Sequence, residues 1–450
     1  MSTTPTLILG AGLTGLSCAH HLGRHGDYRL VEKNDAVGGL ARTRTRPHGF
    51  LCDGTGHWLH LRHDATKELV HGLLGDNLER RERKARVYSK GVFTLYPFQA
   101  NTYGLPKDVV AACVLGLIRA RYEEDRPPPE NYKEWVRNEF GEGICEHFMY
   151  PYNSKIYGIP LEDLAVDFAQ KYIPRPSVDA VIQGALGLSK QALGYNASFL
   201  YPKQGGIGAL GESLHDSARI KAELRREPTS IDLAGRNVVM ADGETIHFEH
   251  LVNTIPLDRF VDLVVAAGPE RVPDAVRDAR ARLRANSVLY FDVGIRGAPE
   301  PHQDLHWIYV PEPEFPFYRV GSYTGVEPNL APPNHRSYYV ELGHYGEVDP
   351  ARFEQPVLDG LRKLGIVDDE SEVLFMIANV LSPAYVLFDT HYAEARQTVL
   401  DWVESHRVQT MGRYGRWQYN AMEDALLEGK AAADAIASGT APPSARGPAA

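Results

Sequence analysis

"TLILGAGLTGLSCAHHLGRHGDYRLVEK", Thr6 to Lys33, decides the fold. Leu7 to Leu9 are strand-like, Gly10, Gly12 and Gly15 form G-x-G-x-x-G, and Leu16, Ala19 and Leu22 recur at helical spacing. A second strand follows at Tyr28 to Val31 and closes on Glu32. Gly10 permits a tight turn, Gly12 lets a pyrophosphate approach the backbone, and Gly15 lets the helix lie close to the sheet. Leu13 and Thr14 open that helix, whose free N–H groups and partial positive charge favour phosphate. Glu32, with Lys33 behind it, is placed to accept hydrogen bonds from ribose hydroxyls. The reading is a βαβ dinucleotide site; the plain alternative is an ordinary Gly-rich turn.

A second glycine pair, Gly38-Gly39, follows the acid in "KNDAVGGLARTRTRPHGFLCDGTGHWLH" (33–60). This arrangement resembles the flavoprotein superfamily of amine oxidases, protoporphyrinogen oxidases and UDP-galactopyranose mutases, where such a segment wraps the pyrophosphate and approaches the flavin. The resemblance implies FAD rather than NAD, with Gly39 and Leu40 at the cofactor. "HLVNTIPL" (250–257) resembles the superfamily's second flavin-contacting strand. It follows "VVMADGETIHF", whose Asp242-Gly243 signals a hairpin.

Composition narrows the classes. The chain has 450 residues, 43% of them hydrophobic, enough for more than one folding unit. A net charge of −10 disfavours sequence-independent nucleic-acid binding. The four cysteines, Cys18, Cys52, Cys113 and Cys145, form no C-x-x-C pair, so neither a metal site nor a redox disulfide is expected, and a reducing cytoplasm fits. The N-terminal apolar run lacks a basic leader and is broken by glycines, which argues against a signal peptide. "VVAACVLGLI" (109–118) is too short to span a bilayer, so no membrane association is expected.

The expected class is α/β: a Rossmann-type FAD-binding domain with an inserted helical lobe and an antiparallel-sheet substrate domain. The FAD-binding parts fall at 1–100, 196–285 and 401–437. A helical substrate or lid lobe fills 101–195, where "LPKDVVAACVLGLIRARY" and "ENYKEWVRNEFGEGICEHFM" show helical spacing around the break "EEDRPPPEN". The substrate sheet occupies 286–400, on "SVLYFDVGI", "LHWIYV", "FYRVGSY" and "SYYVELGHY". The last residues, 438–450, read as a disordered tail.

Six segments in order resemble the UDP-galactopyranose mutase family, particularly its eukaryotic-type members. In "DGTGH", Gly56 and His57 match a pair that presents a histidine to the isoalloxazine. "LYPFQAN" resembles an element at the nucleotide base, giving Tyr96, Phe98 and Gln99. "FMYPYNSKIYGIP" resembles a sugar-site segment, giving Asn153 and Tyr157. "GYNASFLYPKQGGIGAL" supplies Asn196, and "FYRVGSY" places Arg319 where the family binds diphosphate. "GRYGRWQYN" (412–420) resembles a signature at the flavin's reactive edge. There Gly412 lets backbone approach, Arg413 bonds the flavin or a nearby carbonyl, and Tyr419 reaches substrate phosphate. The helix that follows brings Glu423 and Asp424 to the cofactor end, its dipole favouring a negative reduced flavin.

The resemblance implies an enzyme of carbohydrate biosynthesis that interconverts pyranose and furanose forms of a nucleotide-diphosphate sugar. Reduced FAD forms a covalent sugar–N5 adduct and no net redox change results. NADH or NADPH keeps the flavin reduced. His57, Arg319, Tyr385 and Tyr419 are the implied catalytic set, with "KYIPRPS" and "PKQGGIGAL" as candidate lids. A homo-oligomer is compatible with the sequence. The chain departs from the pattern in three places. Tyr157 stands where a tryptophan is common, Glu423 where an asparagine is expected, and neither Lys171 nor Arg175 aligns cleanly with the second diphosphate arginine. The base and the sugar therefore stay open among UDP, dTDP and GDP derivatives. The alternatives are an FAD-dependent oxidoreductase of the amine or porphyrinogen oxidase type, and a non-catalytic nucleotide-binding protein.

Overall fold

A computed structural model describes residues 2–23, 26–123, 126–166, 173–189, 198–297, 302 and 304–440. The sequence expectations for Lys171, Asn196 and most of the tail lie outside the described residues.

The strand Ser2–Leu9 is followed by the helix Leu13–Leu22 and the strand Tyr28–Glu32, and the two strands run parallel with Leu7 opposite Arg29. Leu7, Ile8 and Leu9 are fully buried, as a central parallel strand covered on both faces requires. The sheet runs Pro228–Asp232, Asn237–Met240, Thr245–Asn253, Ser2–Leu9, Tyr28–Glu32 and Glu223–Leu224. Val408–Thr410 adds in parallel beside the end of Thr245–Asn253. The Asp242-Gly243 hairpin forms, with Gly243 at φ +87°.

The helix Leu13–Leu22 buries nearly every side chain because its outer face is covered by the terminal helix Met422–Ser438. The contact is close: Ser17 Oγ donates to the Leu426 carbonyl at 2.7 Å, and a Cβ on Gly429 would stand 2.3 Å from the Thr14 carbonyl oxygen. Gly429→Ala is therefore expected to force the two helices apart and lower stability by about 1–3 kcal/mol. Thermal melts of the two proteins would show it as a lower midpoint, and an unchanged midpoint would mean the helices are not so tightly seated.

The second sheet is mostly antiparallel, in the order Glu372–Leu381, Ser287–Arg296, His335–His344, Arg319–Ser322, Trp307–Tyr309, Ala85–Ser89 and Val92–Leu95. Its last two strands fall inside 1–100, the segment expected to bind FAD, and extend this second sheet. Ala85 pairs in parallel with Trp307, a long-range contact that hairpin-like local patterning does not reveal. Helices Lys107–Tyr122, Tyr132–Phe140, Tyr150–Tyr157 and Val178–Ala185 form the lobe around a separate core containing Cys113, Phe140 and Cys145.

Candidate active site

Between the two sheets lies a cavity of about 640 Å³. The first glycine turn forms one wall, through Gly10, Gly12, Leu13 and Thr14, and Glu32 with Lys33 closes its far end. Gly39 and Leu40 fold over it, tied down by Gly38 N–H donating to the Ala11 carbonyl at 2.8 Å. The lining also brings in His57, Gly412, Arg413 and the start of the terminal helix at Met422. Gly12 and Arg413, 401 residues apart in sequence, thus line one space. Cys18, Cys52, Cys113 and Cys145 are all buried in packed surroundings rather than at this cavity.

The residues present fit a dinucleotide. Gly12 caps the helix Leu13–Leu22 without any side-chain bond, so the first-turn N–H groups face the cavity. Glu32 Oε2 accepts from Ala11 N at 2.9 Å and Oε1 from Asn34 N at 2.9 Å. These bonds fix the carboxylate while leaving acceptor capacity for a ribose. Arg413 Nε is buried with no protein partner among the described residues, as expected of a donor kept for a ligand. The other Arg413 nitrogens donate to the carbonyls of Asn420 (3.2 Å) and Ala384 (3.4 Å).

"GRYGRWQYN" folds around Glu428 of the terminal helix. Gly412 N, Gln418 Nε2 and Asn420 Nδ2 donate to its carboxylate at 2.5, 3.0 and 2.8 Å. Gly412 adopts φ +84° and presses on Thr14, so the cluster is seated directly on the first glycine turn. Tyr419 lies 4.7 Å and Tyr385 5.9 Å, ring centre to guanidinium carbon, from Arg413, and Tyr157 meets Tyr385 edge-on.

His57 lines the cavity beside Trp58, which stacks on Trp307 of the second sheet. Burial pushes its pKa down to about 4, and the charges of Arg413 and Arg319 push the same way while the Thr55 backbone opposes them. It is therefore neutral at pH 7. The unfolded imidazole takes its proton near pH 6.5 and the folded one near 4. Between those values the unfolded state binds more protons, so stability falls as pH drops. His57→Gln is expected to remove a cost on the order of 3 kcal/mol at pH 4. Denaturant titrations at pH 7 and pH 4 would show a smaller loss for the variant; equal losses would mean that His57 titrates normally.

Arg319 sits beyond His57. Its Nε and Nη2 engage both oxygens of Glu341, the residue opposite it in the neighbouring strand, and its guanidinium stacks 4.6 Å from the Trp307 ring. Trp307 in turn stacks on Trp58 at 3.7 Å. Burial works against the Arg319 charge, but Glu341 outweighs it and holds the pKa well above the ordinary value. Sequence reading missed both partners, because each is a cross-strand or cross-domain neighbour.

Several expected ligands have other work. Glu423 is 3% exposed, and its Oε1 accepts from Arg62 N, His63 N and Thr66 Oγ1 at 2.6, 2.8 and 2.6 Å. It fastens the terminal helix to the start of the helix Asp64–Leu74 and does not line the cavity. Asp424 accepts from Ala421 N at 2.8 Å and caps its own helix. Gly15 and Gly56 pack against Gly10 and Tyr339 rather than the cavity. The three residues expected at a nucleotide base contact other parts of the protein. Tyr96 stacks on Tyr309 at 4.6 Å, Phe98 stacks on Phe148, and Gln99 Nε2 donates to the Pro174 carbonyl at 3.0 Å. Asn153 Nδ2 bonds back to the Met149 carbonyl at 2.6 Å. Arg175 lies on the lobe, over Trp135 and 4.0 Å from Glu139. The cavity also takes Thr254 to Pro256, inside the "HLVNTIPL" segment, and Arg44 and Val380 to Pro383, which the sequence did not single out.

A glycine-walled cavity lined by half-buried His57 and by Arg413 frames the likenesses that follow. The sequence model of flavin containing amine oxidoreductases matches residues 13–437. The chain belongs to this family. A crystal structure of reduced UDP-galactopyranose mutase aligns with TM-score 0.90 over 97% of this chain and 94% of that one, at 23% identity. A redesigned putrescine oxidase aligns at 0.63 over 97% and 99%, with 12% identity. A CLA-producing fatty acid isomerase from P. acnes aligns at 0.60 over 95% and 97%, with 16% identity. At such identities these likenesses establish the shared fold. Within this amine oxidoreductase family the chain has a mixed α/β flavin-binding architecture. Among the described residues no helix is long and apolar enough to cross a membrane.

Proposed function

We propose that the protein is a flavin-dependent mutase that interconverts pyranose and furanose forms of a nucleotide-diphosphate sugar without net redox change. The observation that carries this reading is that His57 and Arg413 line the cavity together while the charge of Arg319, on the second sheet, also acts on His57. A cationic amine has no use for the Arg319 guanidinium near His57, whereas a departing diphosphate does. The likeness in fold to a reduced mutase supports the same reading.

FAD, held at Gly10, Gly12, Glu32, Gly39 and Arg413 and kept reduced by NADH or NADPH, would supply the electron-rich nitrogen that attacks the anomeric carbon. The chain's own residues do the rest. Arg319, fixed by Glu341 and Trp307, holds diphosphate charge without reorganising. Tyr157, Tyr385 and Tyr419 offer phenol donors around Arg413. Neutral His57 packs at the cavity without adding charge. Tyr96 and Gln99 would have to open from Tyr309 and Pro174 to take a base, so nucleotide binding is expected to move the lobe.

The test is a substrate screen. Dithionite-reduced protein is offered UDP-, dTDP- and GDP-sugars, and products are separated by chromatography. The proposal expects ring isomers with reduced protein and none with oxidised protein. Steady peroxide release with an amine substrate and no isomer would establish the oxidase reading instead.

A further inference from the structure

Loop 53–57 carries His57 in a backbone conformation that its own sequence resists. Thr55 has φ +141°, where a β-branched residue is an outlier and glycine alone enters at little cost. The flanking glycines leave no slack. A Cβ on Gly54 would come within 2.8 Å of Arg44 Nη1, and one on Gly56 within 2.2 Å of Tyr339 Oη. Strain of this kind persists only where the surroundings over-determine it.

Two anchors do so here. After His57, Trp58 is stacked between Phe199 and Trp307, at 4.3 and 3.7 Å between ring centres. Before it, Asp53 is 2% exposed and gathers three separate stretches of chain. Its Oδ1 accepts from Thr43 Oγ1 at 2.6 Å and from Ile207 N at 3.2 Å, and its Oδ2 accepts a short bond from Tyr201 Oη. Thr43 Oγ1 itself accepts from Gly208 N at 2.8 Å, so the carboxylate also sits at the start of the helix Gly208–Ser217. Gly206, at φ +64°, lies so close that a Cβ there would be 2.5 Å from Asp53 Oδ1.

We propose that Asp53 is a positioning residue, whose carboxylate clamps loop 53–57 so that the strained Thr55 holds His57 against the cofactor cavity. The inference rests on the functional reading above only in placing the redox-active ring beside His57. Asp53 does not line the cofactor cavity and acts through His57.

The experiment uses FAD-loaded protein and the variants Asp53→Ala, Asp53→Asn and Tyr201→Phe. Asparagine keeps an acceptor for Thr43 and Ile207 and turns an N–H toward the Tyr201 oxygen, so it should restore what alanine loses. Asp53→Ala is expected to retain FAD but shift its visible absorption band and reduction potential. With a nucleotide sugar, kcat should fall on the order of tenfold or more while KM hardly moves. A native spectrum and potential in Asp53→Ala, with only a lower melting temperature, would reduce Asp53 to a structural acid and overturn the proposal. Failure of Asp53→Asn to restore the spectrum would overturn it as well. If Asp53→Ala does not fold, Tyr201→Phe, which removes one donor, should give the same shift at smaller size, and a native spectrum there counts against the clamp. Spectrum and potential are read without sugar. A protein that isomerises no nucleotide sugar would sink the mutase reading while leaving the clamp to be judged by its flavin.

Discussion

Gly12→Ala is expected to fold with near-native stability and yet lose FAD affinity by about a hundredfold or more, roughly 3 kcal/mol. The two effects separate because Gly12 has φ −73° and ψ 178°, which alanine adopts freely. A Cβ there would meet only Gly39 Cα, at 3.9 Å. The added methyl costs the protein nothing and stands where phosphate oxygens must approach. Gly15→Ala gives the opposite result. Its Cβ would fall 1.9 Å from the Gly10 carbonyl oxygen, so the helix must leave the turn and stability collapses. Thermal melts and FAD titration followed by flavin fluorescence would separate the two glycines. Native FAD affinity in Gly12→Ala would place the pyrophosphate elsewhere.

Arg319→Ala is expected to damage the protein twice. Glu341 is 2% exposed and would be left as an unpaired buried carboxylate, at a cost of about 3–5 kcal/mol. Nucleoside diphosphates should also bind more weakly by about 2–5 kcal/mol, while FAD stays bound. The double variant Arg319→Met with Glu341→Gln tells the effects apart, since it should recover most of the stability and none of the ligand affinity. Arg319→Lys should not rescue binding, because an ammonium cannot reproduce the planar fork that Glu341 and Trp307 hold. Calorimetry with UDP, dTDP and GDP checks the ligand half. Unchanged affinity for all three would remove Arg319 from the substrate site.

The cofactor half of this molecule was readable because its parts are contiguous. Strand, turn, helix and acid between Thr6 and Lys33 each leave a local signature, and the cavity gathers Gly10, Gly12 and Glu32 as that spacing implies. The second sheet is built from distant neighbours. Arg319 was visible as a residue, but Glu341 opposite it and Trp307 beneath it depend on strand register, which residue types do not encode. Glu423 shows the opposite failure. Its position suggested a ligand, but its carboxylate is occupied by the start of the helix Asp64–Leu74, 357 residues away at Thr66. The hairpin strands Ala85–Ser89 and Val92–Leu95 joined the second sheet through a parallel pairing that no local pattern announces. Thr55 carries a conformation against its own propensity, so only the folded surroundings reveal it.

The most direct measurement is an electron count. A known quantity of reductant is added anaerobically to the FAD-loaded protein with excess nucleotide sugar, and ring isomers are counted against reductant consumed. The account predicts many isomers for each flavin reduced, with no further reductant spent. One electron pair consumed per product, or equal turnover with oxidised flavin, would contradict it.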